Sequence, residues 1–109
     1  MKILFDHCVT KPLRREFPDH EIKTTREMGW AALKNGRLLE EAVAAGFEVL
    51  LTIDQNIRYQ QNLTGRPIAV VVLIASGITV EDLRPLVPAI EKTLAHVERG
   101  QLYEVTART

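Results

Sequence analysis

The stretch Val49-Leu50-Leu51-Thr52-Ile53-Asp54-Gln55-Asn56 decides how the chain folds. Val49 to Ile53 carry only apolar or β-branched side chains and stop abruptly at an aspartate. An apolar run of this length without alternation is the pattern of a strand covered on both faces. Such strands belong to parallel sheets with helices above and below. Working outward, the chain opens with the same device, since Ile3-Leu4-Phe5 is a short apolar run closed by Asp6. A third run, Ile68 to Ile74, is the most apolar segment and makes another core strand.

The segments between these strands carry helical and turn signals. Lys11 to Phe17 suit a short helix, Phe17-Pro18-Asp19-His20 a turn, and Glu21 to Thr25 a second strand. Met28-Gly29-Trp30 reads as a loop whose tryptophan caps the core. Asn35 reads as a helix N-cap, because its side chain can accept from a free N–H of the first turn. Leu38, Leu39, Ala42, Val43 and Ala45 then recur at helical spacing until Gly46 ends the helix. Ile57 to Asn62 reads as a short helical turn, and Thr64-Gly65-Arg66-Pro67 resets the chain. Thr79, with Asp82 three residues on, opens a last helix to Val97, in which Pro85 is tolerated and Pro88 makes a kink. Gly100 stops that helix, and Leu102, Tyr103 and Val105 form a final edge strand. Strands alternating with helices predict an α/β fold: a three-layer α/β/α sandwich around a mostly parallel sheet, as one domain over residues 1–109.

The composition agrees with one globular domain. Among 109 residues, 46% are apolar and 26% charged, so wholesale disorder is excluded. Lys+Arg and Asp+Glu both number 14, which rules out a strongly basic nucleic-acid coat but leaves room for a local basic face. The single cysteine excludes an internal disulfide framework and a multi-thiolate zinc site. No apolar run approaches the roughly 20 residues of a membrane span. The first residues reach the charge of Asp6 too soon for a signal peptide, so a cytoplasmic protein with no membrane partner is expected.

Chemistry is expected where two core strands end in carboxylates, at Asp6 and Asp54. In open parallel sheets the crevice beyond the carboxyl ends of the strands is the usual ligand site. If the two strands are neighbours, both carboxylates emerge at that edge and repel one another unless a cation neutralises them. Hard oxygen ligands suit Mg²⁺ or Mn²⁺, which can orient a water and stabilise charge on a phosphate. The bland alternative is that each aspartate starts a turn or caps a helix. Lys34-Asn35-Gly36 and Gln55-Asn56 fall beside the same edge, with Asn35 also explained as a cap and Asn56 as an oxygen ligand or a turn residue. Arg14, Lys34 and Arg58 are the cations expected to hold a substrate phosphate; a solvated face is their alternative reading. His7-Cys8-Val9-Thr10-Lys11-Pro12-Leu13-Arg14 also matches the Cys-x5-Arg loop of tyrosine phosphatases, in which a thiolate attacks phosphorus. Against that reading, Pro12 offers no N–H to a phosphate and no glycine relieves the turn.

Taken together, Ile3-Leu4-Phe5-Asp6, Lys34-Asn35-Gly36 before Leu38-Leu39-Glu40-Glu41-Ala42, and the strand ending in Thr52-Ile53-Asp54-Gln55-Asn56 resemble the small PIN-like proteins, a compact branch of the PIN nuclease superfamily. The resemblance runs from Met1 to about the last helix. It implies a parallel α/β/α sandwich and a Mg²⁺- or Mn²⁺-dependent ribonuclease centre, in a toxin paired with a small protein antitoxin. By position, Asp6 matches the acidic ligand of the first strand and Asp54 the Thr-x-Asp acid. Asn35, Asn56 and His7 stand where the family often has further acids. Amides keep an oxygen but lose the charge, so divalent-ion affinity should fall. The resemblance therefore implies either a metal-dependent endoribonuclease or a degenerate module that binds RNA or protein. The apolar last helix and edge strand would suit a homodimer or complete the monomer's own core.

Overall fold

The computed structural model describes residues 1–55 and 66–106. The expected turn at Ile57–Asn62, Thr64, Gly65 and the candidate residues Asn56 and Arg58 lie outside them. Five strands form one sheet: β1 (Lys2–Phe5), β2 (Glu21–Thr24), β3 (Val49–Thr52), β4 (Ala69–Ile74) and β5 (Leu102–Thr106). Their order is β2-β1-β3-β4-β5, and every pairing is parallel.

The runs that looked buried on both faces are so. Ile3, Phe5, Val49, Leu51, Ala69, Val71 and Leu73 face one layer; Leu4, Leu50, Val70 and Val72 face the other. Against the first face pack a 3₁₀ stretch, Lys11–Glu16, through Leu13, and the helical segment between β4 and β5 through Leu83, Leu86, Ile90 and Leu94. Against the second packs α1 (Asn35–Ala44), through Leu38, Leu39 and Ala42. The molecule is thus an α/β/α sandwich. Each fully buried Leu or Phe contributes about 1.5–3 kcal/mol.

Local chemistry sets the ends of these elements. α1 is capped at Lys34, which keeps extended backbone (φ −132°, ψ 151°), so the cap lies one residue before the expected Asn35 and Asn35 is the first helical residue. At the other end Gly46 takes φ 88°, its N–H donates to the Val43 carbonyl, and the Phe47 N–H donates to the Ala42 carbonyl. That pair of bonds is a Schellman ending, and its left-handed residue favours glycine. Phe47 then buries its ring beneath Trp30, edge to face at 6.0 Å between centroids. Trp30 is half-buried against the α1-side core, as a capping aromatic should be.

The last helix is not continuous. It divides into α2 (Val80–Leu83), a 3₁₀ turn (Arg84–Leu86) and α3 (Val87–Leu94). Pro85 and Pro88 each fall in the first turn of a new piece, where the missing N–H breaks no bond. The expected kink is therefore a restart, and the helix ends three residues short of Val97. Leu83, Leu86, Ile90 and Leu94 are buried in the monomer's own core, so these residues give no ground for a homodimer through this helix. Among the described residues no helix is long and apolar enough to cross a membrane.

Candidate functional site

The strand order has a reversal in it. From β1 the chain moves one way to β2 and then returns across β1 to β3. Crossovers on opposite faces leave a crevice between the carboxyl ends of β1 and β3, the usual ligand position in open α/β sheets. Asp6 follows β1 directly and Asp54 lies two residues beyond β3, so both expected acids border this crevice.

They do not stand level. Phe5 pairs with Leu51, and the Asp6 N–H donates to the Leu51 carbonyl at 2.9 Å, so the register carries Asp6 opposite Thr52 rather than Asp54. Thr52 links the two acids. Its fully buried hydroxyl donates to Asp6 Oδ2 at 2.8 Å, while its Oγ1 accepts the Asp54 N–H at 3.1 Å. The other Asp6 oxygen, Oδ1, accepts the His7 N–H at 2.8 Å and lies 3.0 Å from His7 Nδ1. Asp6 is itself 7% exposed, so these hydrogen bonds take the place of solvent around its carboxyl oxygens. Sequence reasoning quoted Thr52 without giving it a task. A hydroxyl within an apolar run has no periodic signal, and its partner lies 46 residues away.

The donor chemistry fits a divalent ion of limited affinity. Mg²⁺ keeps several waters and binds through one or two carboxylates completed by substrate phosphate. Each Asp6 oxygen retains acceptor capacity beyond the bonds just described. Among the described residues no three His, Cys, Asp or Glu side chains cluster into a cage. Asp6 and Asp54 are the two carboxylates bordering this crevice, and they are the ones that would hold such an ion if it binds here.

The phosphatase constellation does not come together. Cys8 is half-buried, with Sγ 3.7 Å from Thr52 Oγ1. Burial pushes its thiol above the ordinary value, and the Asp6 charge adds to the shift, which opposes formation of a thiolate nucleophile. Arg14 turns to Glu27 Oε1 at 2.8 Å and to the Ile22 carbonyl at 3.2 Å. A phosphate seeking Arg14 would have to compete with Glu27. Lys34, by contrast, is exposed at the start of α1, on the sheet edge where the strands end.

On the other side of Asp6 lies a feature the sequence did not announce. A cleft of about 410 Å³ opens between the ends of β1 and β2, lined by Asp6, His7, Val9, Thr10, Lys11, Thr24, Thr25, Arg26 and Ala31. Glu27 braces the lining residue Thr24 reciprocally: the Thr24 N–H donates to Glu27 Oε1 at 2.9 Å, and the Glu27 N–H donates to Thr24 Oγ1 at 3.1 Å. The Thr24 N–H and the Arg14 guanidinium hold the Glu27 carboxyl well below its ordinary range, at about 2. The signature was present as Thr24-Thr25-Arg26-Glu27, a capping box with no long helix behind it. Thr25 is 1% exposed, and its hydroxyl is the buried side-chain polar atom left without a hydrogen-bond partner among the described residues. No protein-family profile, curated protein or solved structure matches the chain.

Proposed function

We propose that this chain is a ribonuclease that hydrolyses RNA phosphodiester bonds with Mg²⁺ or Mn²⁺, and that it is a cytoplasmic toxin held in check by a small protein antitoxin. The observation that carries the reading is the meeting of Asp6, Thr52 and Asp54 at the reversal between β1 and β3. Asp6 and Asp54 would hold the ion, which when bound supplies charge stabilisation at the phosphate and an oriented water. Thr52 aims Asp6 by fixing Oδ2, and His7 fixes Oδ1, so the carboxylate is pre-oriented before substrate arrives. Lys34, exposed at the start of α1, supplies a positive charge for the RNA backbone. Asn35 and Asn56 take the positions of further oxygen ligands that the family resemblance implies.

One observation favours a second reading. Both Asp6 oxygens already accept hydrogen bonds from the protein, as they would in a degenerate centre that binds RNA without cutting it.

Cleavage of a mixed pool of structured and single-stranded RNA separates the two. With Mn²⁺ or Mg²⁺ the wild type and Cys8→Ser should cut, Asp6→Ala and Asp54→Ala should not, and EDTA should stop the reaction. Mn²⁺ should also raise thermal stability, by about 2.7 kcal/mol at a hundredfold excess over Kd. RNA binding by a folded wild type, with neither cleavage nor metal-induced stabilisation, would establish the binding module instead.

A further inference from the structure

We infer that the cleft between the ends of β1 and β2 is a binding pocket for one nucleotide of a single-stranded RNA, with its sugar toward Thr25 and its phosphate on Arg26 and Lys11. The inference rests on RNA being the substrate class, and it assigns where a neighbouring nucleotide sits.

The first argument is size and position. A volume of about 410 Å³ falls within the range of small-ligand pockets. Asp6 belongs to both this cleft and the β1/β3 crevice, so a strand crossing Asp6 has one nucleotide on each side of it. The second is charge. Arg26 is exposed and makes no ion pair among the described residues, whereas Arg14 and Lys11 share Glu27, at 2.8 Å and 3.5 Å. Glu27 therefore fixes the loop that carries Arg26 without neutralising it. Lys11 is 59% exposed at its side chain, and its longer contact with Glu27 yields readily to a phosphate. Val9 and Ala31 give the apolar wall on which a base can lie.

The third argument is Thr25. Buried hydroxyls in folded proteins nearly always find a partner, and one that does not destabilises the fold. Thr25 is one of the residues that line the cleft, and its hydroxyl has no partner among the described residues, so it is the group of this wall that a bound ligand would satisfy. A ribose 2′-hydroxyl both donates and accepts, which makes it the natural complement and gives a preference for RNA over DNA. A polar group kept unsatisfied at a binding wall is the familiar exchange of stability for function.

Fluorescence anisotropy tests this in EDTA, where no metal-dependent cleavage occurs, with labelled single-stranded RNA and DNA of one sequence. Arg26→Ala should weaken RNA binding about five- to tenfold and lower the slope of log K against log salt by about 0.7, the value of one phosphate contact on a single strand. Thr25→Val should melt at the wild-type temperature or higher, yet lose most of the preference for RNA over DNA. Thr25→Ser should keep that preference. Unchanged binding in Arg26→Ala, or an unchanged RNA preference in a folded Thr25→Val, would overturn the pocket. A wild type that binds as described but never cleaves leaves the pocket standing and removes the ribonuclease. A wild type that cleaves with metal while both variants bind normally does the reverse.

Discussion

Thr52 is the side chain on which the candidate site depends most. Its one oxygen serves Asp6 and the Asp54 N–H at once, and the residue is fully buried. Thr52→Val keeps the shape and leaves both partners short, so unfolding in urea should show a loss of about 1–3 kcal/mol. Thr52→Ser should recover most of it, and a full-strength Thr52→Val would deny the hydroxyl any such role. Glu27 makes a second residue-scale case, this time in pH. Its carboxyl falls from an ordinary 4.5 to about 2 on folding, so ionised Glu27 stabilises the native state above pH 4.5 and loses that contribution as pH falls toward about 2. Glu27→Gln should therefore be less stable than the wild type at neutral pH, with the gap closing across that window; parallel stability curves would refute the assignment. Asp6 and Asp54 were visible in the sequence because a charge interrupts an apolar run. Thr52 and Thr25 were not, because a threonine in or beside a strand looks the same whether its hydroxyl is bonded, bridging or unpaired. Arg14 was misplaced for a related reason: a cation near a loop in sequence gives no sign that Glu27, 13 residues on, already holds it.

Element by element, chain punctuation was the most legible layer. Gly46 ends α1 through a left-handed residue, and Thr79 opens α2 through a capping box in which Asp82 accepts the Thr79 N–H and returns its own N–H to the Thr79 hydroxyl. Gly77 lies against that box, beside the Asp82 side chain, although its backbone asks for nothing unusual. A Cβ there would run into the Asp82 carboxylate, because the loop folds back over the helix start. Gly77→Ala should displace the cap and cost about 1 kcal/mol, the worth of an N-cap, which lowers Tm by several degrees in a domain of this size. Metal-dependent cleavage should be unaffected. An unaltered melting curve would mean that the cap survives the extra methyl. The last helix departs furthest from its sequence signals, which predict a single kinked rod. Two prolines three residues apart each demand a first-turn position, and neither the spacing of Leu83, Leu86 and Ile90 nor their burial shows that the backbone hydrogen bonds start afresh between them.

At the scale of the whole molecule, apolar runs and turn signals predicted the strands, a mostly parallel sheet and the two covering layers, but not which strand lies beside which. Neighbourhood comes from crossovers whose direction leaves no local trace, and the site exists only because β1 and β3 are adjacent at the reversal. For the same reason the β1/β2 cleft was out of reach: its lining comes from loops that no periodicity describes. The order of the strands also has a consequence in time. β1 precedes both of its neighbours in the chain, so during synthesis Asp6 emerges long before the hydroxyl that orients it, and domains generally complete their packing only as a unit. Here the acid is translated 46 residues ahead of the hydroxyl that orients it, so the pair forms only once β3 has docked beside β1.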